Sequence, residues 1–141
     1  MTLEALTQRL QTVCGENLRS VILYGSSVTG DHAGRRSNYN VLVVLHRLGL
    51  DDLKALSPVV RAWVRGGQPA PLLWTQESLR RSADAFPLEI ADLQAAHREL
   101  YGTDVLDTLP VDAARLRLQL EHELKSRLLA LRQHYLLTPL N

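Results

Sequence analysis

The chain has one cysteine, one phenylalanine, one methionine and only 5% aromatic residues among its 141. A single thiol, Cys14, cannot close an internal disulfide, which fits a reducing compartment. Its place at the end of a helical pattern reads as a small buried apolar side chain rather than a nucleophile. An excess of either charge is lacking too, since 16 Lys and Arg stand against 15 Asp and Glu, a net charge of +1. That balance makes no electrostatic case for a nucleic-acid or membrane partner. No apolar run approaches the roughly 20 residues that span a bilayer. The amphipathic amino end lacks the apolar core of a signal peptide, so a cytoplasmic protein is expected. The five histidines (His32, His46, His97, His122, His134) form no His-x-x-x-His or His–Cys cluster, which speaks against a zinc site. There are no internal repeats and no low-complexity segments.

What is present is the composition of an ordinary globule, 45% hydrophobic and 22% charged, long enough for one domain. Such a chain buries roughly 70% of the surface its unfolded form exposes. Leu3, Leu6, Leu10 and Val13 recur at helical spacing, so Thr2 to Cys14 reads as an amphipathic helix stopped by Gly15. Arg19–Tyr24 is a short strand ending at Gly25, Val28–Gly30 one helical turn, and Asp31–Ser37 a loop. Tyr39–Leu45 is almost continuously apolar, as suits a strand covered on both faces. Leu53, Leu56, Val60, Trp63 and Val64 mark a second helix up to Gly66. Pro58 inside it implies either a kink or a second segment capped by Ser57. Leu72–Trp74 reads as a third strand, Thr75 as the cap of a helix through Arg81, Phe86–Ile90 as a fourth strand, and Ala91–Tyr101 as a helix. Beyond Pro110 one long helix carries the stripe Leu116, Leu120, Leu124, Leu128, Leu131 and Tyr135, with Glu121–Lys125 and Glu123–Arg127 four apart. The expected fold is α/β: a small mixed sheet of about four strands flanked by helices, with residues 1–109 as the main domain. Residues 110–141 form a closing helix that packs on that domain or on a partner.

The stretch Val21–Leu45 organises the rest. An apolar run enters a Gly-Ser-Ser turn, a loop containing Arg35 and Arg36 follows, and a second apolar run leaves. Gly25 lets the backbone turn out of the strand and come close to a ligand. The amides that follow, with the Ser26 and Ser27 hydroxyls, suit an anion. Arg35 and Arg36 border that place and would neutralise an anion through charge-assisted hydrogen bonds, unless they are simply solvated loop charges. His32 reads as a surface side chain, Tyr39 and Trp63 as core aromatics. Trp74 is either core or, at a strand end beside the site, a surface for stacking a base.

LYGSS at Leu23–Ser27 and SNYNVLVVL at Ser37–Leu45, with eleven residues between Ser26 and Asn38, resemble the nucleotidyltransferase superfamily, the polymerase-beta-like fold. SADAFPLEIADLQAAHRELYG (Ser82–Gly102) and the Leu/Arg-rich last helix also resemble its bacterial members. The resemblance implies a nucleoside triphosphate held at Gly25, Ser26, Ser27, Arg35 and Arg36. It also implies an Asp-x-Asp pair holding divalent ions where this chain has Asn38 and Asn40. Two carboxylates one residue apart on a strand share a face and so can share metal ions that bridge phosphates. An amide oxygen still coordinates Mg²⁺ but brings no charge. At ~4 Å and an effective dielectric of ~20 a unit pair is worth about 4 kcal/mol, so losing two against a divalent ion removes on the order of 10 kcal/mol gross. The family's third acid is missing from Leu72–Trp74, and Glu89 is the one stand-in. The absence of all three acids favours natural loss over deliberate replacement of two.

Three functions follow as expectations. The first is a catalytically degenerate nucleotidyltransferase-like domain that binds nucleotide or phosphate as a regulatory module, with no required cofactor and no metal. The second is an active transferase moving a nucleoside monophosphate from ATP or another triphosphate to a small molecule, nucleic acid or protein, which alone would need Mg²⁺. The third is one component of a complex, through a homodimer or a helical partner docking on Val111–Leu137.

Overall fold

The Thr2 hydroxyl accepts the Ala5 amide proton at 3.1 Å and starts the first helix, α1 (Leu3–Cys14), which Gly15 stops with a φ of +55°. In the computed structural model, residues 1–29 and 38–139 are described. After a short 3₁₀ turn come β1 (Leu18–Tyr24) and the single turn α2 (Ser26–Thr29), then β2 (Asn40–Leu45) and α3 (Leu50–Arg65). They are followed by β3 (Leu72–Thr75), α4 (Gln76–Ala85), α5 (Pro87–Ala95), β4 (His97–Gly102) and α6 (Ala113–Leu137). The four strands form one mixed sheet in the order β3-β2-β1-β4. β1 is antiparallel to both β2 and β4, and β3 runs parallel to β2.

β1 and β2 lie in the middle of the sheet and are covered on both faces, which accounts for their unbroken apolar runs. Val21, Leu23, Val41, Val43 and Leu45 meet Leu6, Leu10, Leu56, Val59 and Trp63 of α1 and α3. Ile22, Leu42 and Val44, on the other face, meet Leu79 and Ala83 of α4, Ile90 and Leu93 of α5, and Val105 and Leu106. The period of two in a strand sends alternate residues into two separate cores.

Pro58 neither breaks α3 nor divides it. Its ring leaves the Lys54 carbonyl without an amide donor, but both residues are exposed and water serves instead. The buried stripe of α3 is Leu56, Val59 and Trp63, while Leu53 and Val64 face outward, a rotation from the expected face.

The segment after α4 corrects the sequence reading. Phe86–Ile90 is not a strand: Pro87 occupies the first position of α5, and Pro87, Ile90 and Leu93 bury one face at three-residue spacing. The residues 91–101 expected to be helical divide instead. α5 ends at Ala95, and His97–Gly102 pairs with the free edge of β1. β4 has little apolar alternation of its own, so pairing with β1 rather than side-chain pattern makes it a strand. α6 is continuous as expected, yet none of its residues is buried, so the stripe does not close on the sheet. Glu123 pairs with Arg127 at 3.9 Å, while Glu121 turns back to Arg117 at 3.3 Å instead of forward to Lys125.

Gly102, at a φ of +80°, lies so close to β1 that any Cβ would overlap the Arg19 carbonyl oxygen. Gly67 has a similar φ of +90° but open space around it. Gly102→Ala should cost roughly 2–4 kcal/mol, from a strained left-handed backbone plus overpacking, against about 1 kcal/mol for Gly67→Ala. Urea titrations of both variants would check that order.

Candidate functional site

The candidate site is built at the end of β1 that carries the Gly-Ser turn. Tyr24, the last residue of β1, lies directly opposite Asn40, the first of β2, and opposite His97, the first of β4. The chain then leaves the sheet at Gly25, whose φ of +85° is in the left-handed region. The Gly25 amide donates to the Ala96 carbonyl at 3.1 Å, and its own carbonyl accepts from Val28 at 3.0 Å, opening α2. A Cβ at Gly25 would come 3.2 Å from Asn40 Nδ2. The absence of a side chain at 25 therefore brings the turn against the Asn-x-Asn edge.

Asn40 is half-buried and Asn38 is exposed just before the strand. Tyr39 turns to the opposite side. Its amide donates to Gln68 Oε1 at 2.8 Å and its ring lies 6.5 Å from that of Trp63, at 34°. Ser27 Oγ donates to the Tyr24 carbonyl at 3.5 Å, within the turn itself. His32, Arg35 and Arg36 lie outside the described residues.

A cavity of about 330 Å³ opens beside Gly25, lined by Tyr24, Leu72, Trp74, Glu89, Asp92 and Leu93. Trp74 packs against the second core and also lines this cavity. Burial pushes the Tyr24 hydroxyl above its usual range, so it remains a neutral phenol. Glu89 reaches the cavity from the first turn of α5, not from a strand. Both of its carboxylate oxygens accept from Gln119 Nε2 of α6, at 3.2 and 2.9 Å, while Gln119 Oε1 accepts the Leu88 amide proton at 2.8 Å. Asp92, three residues on along α5, joins it. Sequence reasoning missed Asp92 because the i, i+3 relation to Glu89 exists only if the segment is helical. Cys14 is half-buried against the first core, and burial, then the nearby Asp52 carboxylate, raises its thiol pKa. Such a thiol is inert.

Among the described residues, one group of three His, Cys, Asp or Glu side chains could converge on a metal ion. It is His97, Glu99 and Asp104, across β1 from Asn40. At the Asn38/Asn40 edge the donors are amides. A pair of divalent ions bridging a triphosphate needs anionic oxygen ligands to offset dehydration, and these residues do not fit it.

No protein-family model matches the sequence, and no curated protein matches it. Solved structures do. The chain superposes on spectinomycin adenyltransferase of Enterococcus faecialis, solved with ATP and spectinomycin, with a TM-score of 0.57 at 14% identity. The match covers 79% of this chain and 60% of that one, so the chain spans less than two thirds of that adenyltransferase's length. A chain of a mutant MntA-HpeT toxin-antitoxin matches with a TM-score of 0.50 at 14% identity, covering 96% of this chain and 98% of that one. The fold is shared with that adenyltransferase, a mixed four-stranded sheet flanked by helices and followed by a long C-terminal helix.

If lost charge is what removes the metal, returning it should be enough to recover binding. Asn38→Asp with Asn40→Asp should bind Mg²⁺ at least about tenfold more tightly than the unaltered chain by calorimetry, a small part of the gross electrostatic gain. Equal affinities would show that the edge lacks more than two charges.

Proposed function

We propose that the chain is a nucleotidyltransferase-like domain without metal catalysis that binds a nucleotide or phosphate group as a regulatory module. The observation that carries this reading is the left-handed Gly25 turn packed against the amide of Asn40. A phosphate-type turn stands beside a strand edge from which negative charge has been removed. An acidic edge repels a triphosphate unless metal ions intervene; an amide edge does not. Gly25, Ser26 and Ser27 would supply the cradle, and Arg35 and Arg36, between Thr29 and Asn38 in the sequence, the positive charge. Asn38 and Asn40, at the positions of the family's acids, would contact the ligand as neutral hydrogen-bonding groups. The solved adenyltransferase with ATP supports a nucleotide ligand by likeness of fold only. Glu89 does not take over as a metal ligand in this reading, because Gln119 engages both of its oxygens.

ATP in the presence of EDTA should give measurable heat of binding at millimolar ligand, with a binding free energy on the order of −4 kcal/mol. Arg35→Ala with Arg36→Ala should weaken it about three- to tenfold, a contribution of about 1 kcal/mol. Labelled ATP with Mn²⁺ should yield no pyrophosphate above background. Steady release that Glu89→Gln abolishes would establish an active transferase instead.

The exposed stripe of α6 favours a second reading, that the chain is one component of a complex. Leu124 and Leu131 are each 67% exposed and Leu137 83%, on a helix with no buried residue. Burying such a face on another helix would contribute about 25 cal/mol for each Å² removed from water. Light scattering of the isolated chain should show self-association that rises with concentration. Leu124→Glu, Leu128→Glu and Leu131→Glu together should abolish it without loss of helix content by circular dichroism. A monomer at every concentration, before and after substitution, would leave the homodimer form of this reading without support.

A further inference from the structure

On the side of β1 away from Asn40, four side chains converge that sequence spacing did not associate. His97 and Glu99, two apart on β4, share one face of the strand, and the turn after Gly102 brings Asp104 and Asp107 over it. We propose that His97, Glu99 and Asp104, with Asp107 beside them, form a binding site for one divalent transition-metal ion of the zinc class, clipping edge strand β4 to the 103–109 turn.

The geometry is that of an oriented ligand set. The His97 side chain is only 8% exposed. Its Nδ1 lies 2.9 Å from the Gln94 carbonyl oxygen, which can only accept, so the proton is assigned to Nδ1. Without an ion Nε2 would donate to Asp104 Oδ2; an ion would take the place of that proton, on a ring held from behind by a backbone carbonyl as metal-bound histidines are. Nε2 faces Asp104 Oδ2 at 3.0 Å, Asp107 Oδ1 at 3.5 Å and Glu99 Oε1 at 3.6 Å. Asp104 is oriented in turn: its Oδ1 accepts the amide protons of Leu106 at 3.0 Å and Asp107 at 3.2 Å, which leaves Oδ2 pointing at the ring.

The spacings suit a small tetrahedral ion. With metal–ligand bonds of about 2.0–2.2 Å, the edges of a tetrahedron are about 3.3–3.6 Å long. The Nε2···O separations to Asp104 and Glu99, 3.0 and 3.6 Å, lie about that length. The ligand atoms of His97, Glu99 and Asp104 all lie within 4.8 Å of one another. One imidazole with two carboxylates, and water or Asp107 for the fourth position, is a mixed nitrogen and oxygen set suited to zinc and its neighbours rather than to magnesium.

Charge points the same way. A protonated His97 carries +1 against three carboxylates, so no protonation state of the ring neutralises the group, whereas a divalent ion offsets most of it.

The site would also reach the Gly25 turn. His97 lies opposite Tyr24, and the preceding Ala96 carbonyl accepts the Gly25 amide proton. Fixing the start of β4 therefore steadies the turn, whether or not a nucleotide binds there.

The test uses the full chain, stripped with chelator and titrated with Zn²⁺ by calorimetry, followed by thermal unfolding. One equivalent should bind at micromolar or lower concentration, and unfolding should shift upward by several degrees. Glu99→Gln keeps the size of a partly exposed side chain and should weaken binding at least about tenfold, as should His97→Ala if circular dichroism shows it folded. His122→Ala, on α6, should bind as the unaltered chain does. Cobalt(II) should give the strong visible absorption of a tetrahedral site, lost in Glu99→Gln. No binding at about 100 μM Zn²⁺, or undiminished binding by Glu99→Gln, would overturn the proposal and leave these side chains as a hydrogen-bonded cluster.

Discussion

The antiparallel pairing of β1 with β2 is the constraint on which the rest of the structure depends. Both strands are buried on two faces, so their register decides which residues enter which core. A slip of one residue would exchange the two cores and face Asn40 toward α1 and α3. The same register sets Tyr24 opposite Asn40 and so places the Gly25 turn against the strand edge. Hydrophobic burial over five consecutive residues of β2 thereby positions a polar site that contributes little stability of its own.

At that edge geometry and charge point in different directions. The backbone there has a left-handed glycine, a helical turn leaving the sheet, and a cavity beside it. The side chains are not those that hold metal ions. Amide and carboxylate are nearly the same size, so Asn fits the packing that Asp would occupy, and the fold is indifferent to the exchange. The chemistry is not, because a carboxylate's attraction for a divalent ion falls away with its charge. A fold does not by itself carry an activity, which has to be argued from the site.

α6 illustrates a different tension. Among the described residues, its side-chain hydrogen bonds to the rest of the fold run through Gln119 to Glu89 and Leu88 and through Arg115 to the Asp84 carbonyl, all near its start. Beyond them its leucines face outward. The tie at Gln119 also positions the carboxylate of Glu89 at the cavity beside Gly25. A partner on α6 would thus act on a helix already linked to the site by one side chain.

Local chemistry in the sequence was enough to determine α1 with its Thr2 cap, the strands on either side of the Gly-Ser-Ser turn, the Thr75 cap, the extent of α6 and the identity of Asn38 and Asn40. These features depend on capping atoms, periodicity and residue type within a few positions of one another. Only tertiary structure decided the segment from Phe86 to Gly102. Phe86–Ile90 is apolar enough for a strand, but Pro87 and burial against α4 and Val105 make it helical. His97–Gly102 has no strand pattern of its own, and the unpaired edge of β1 recruits it. The His97 cluster escaped sequence reasoning for the same reason. Two of its acids come from a turn whose approach to β4 is set by chain reversal at Gly102, a contact between backbones that no spacing of side chains records.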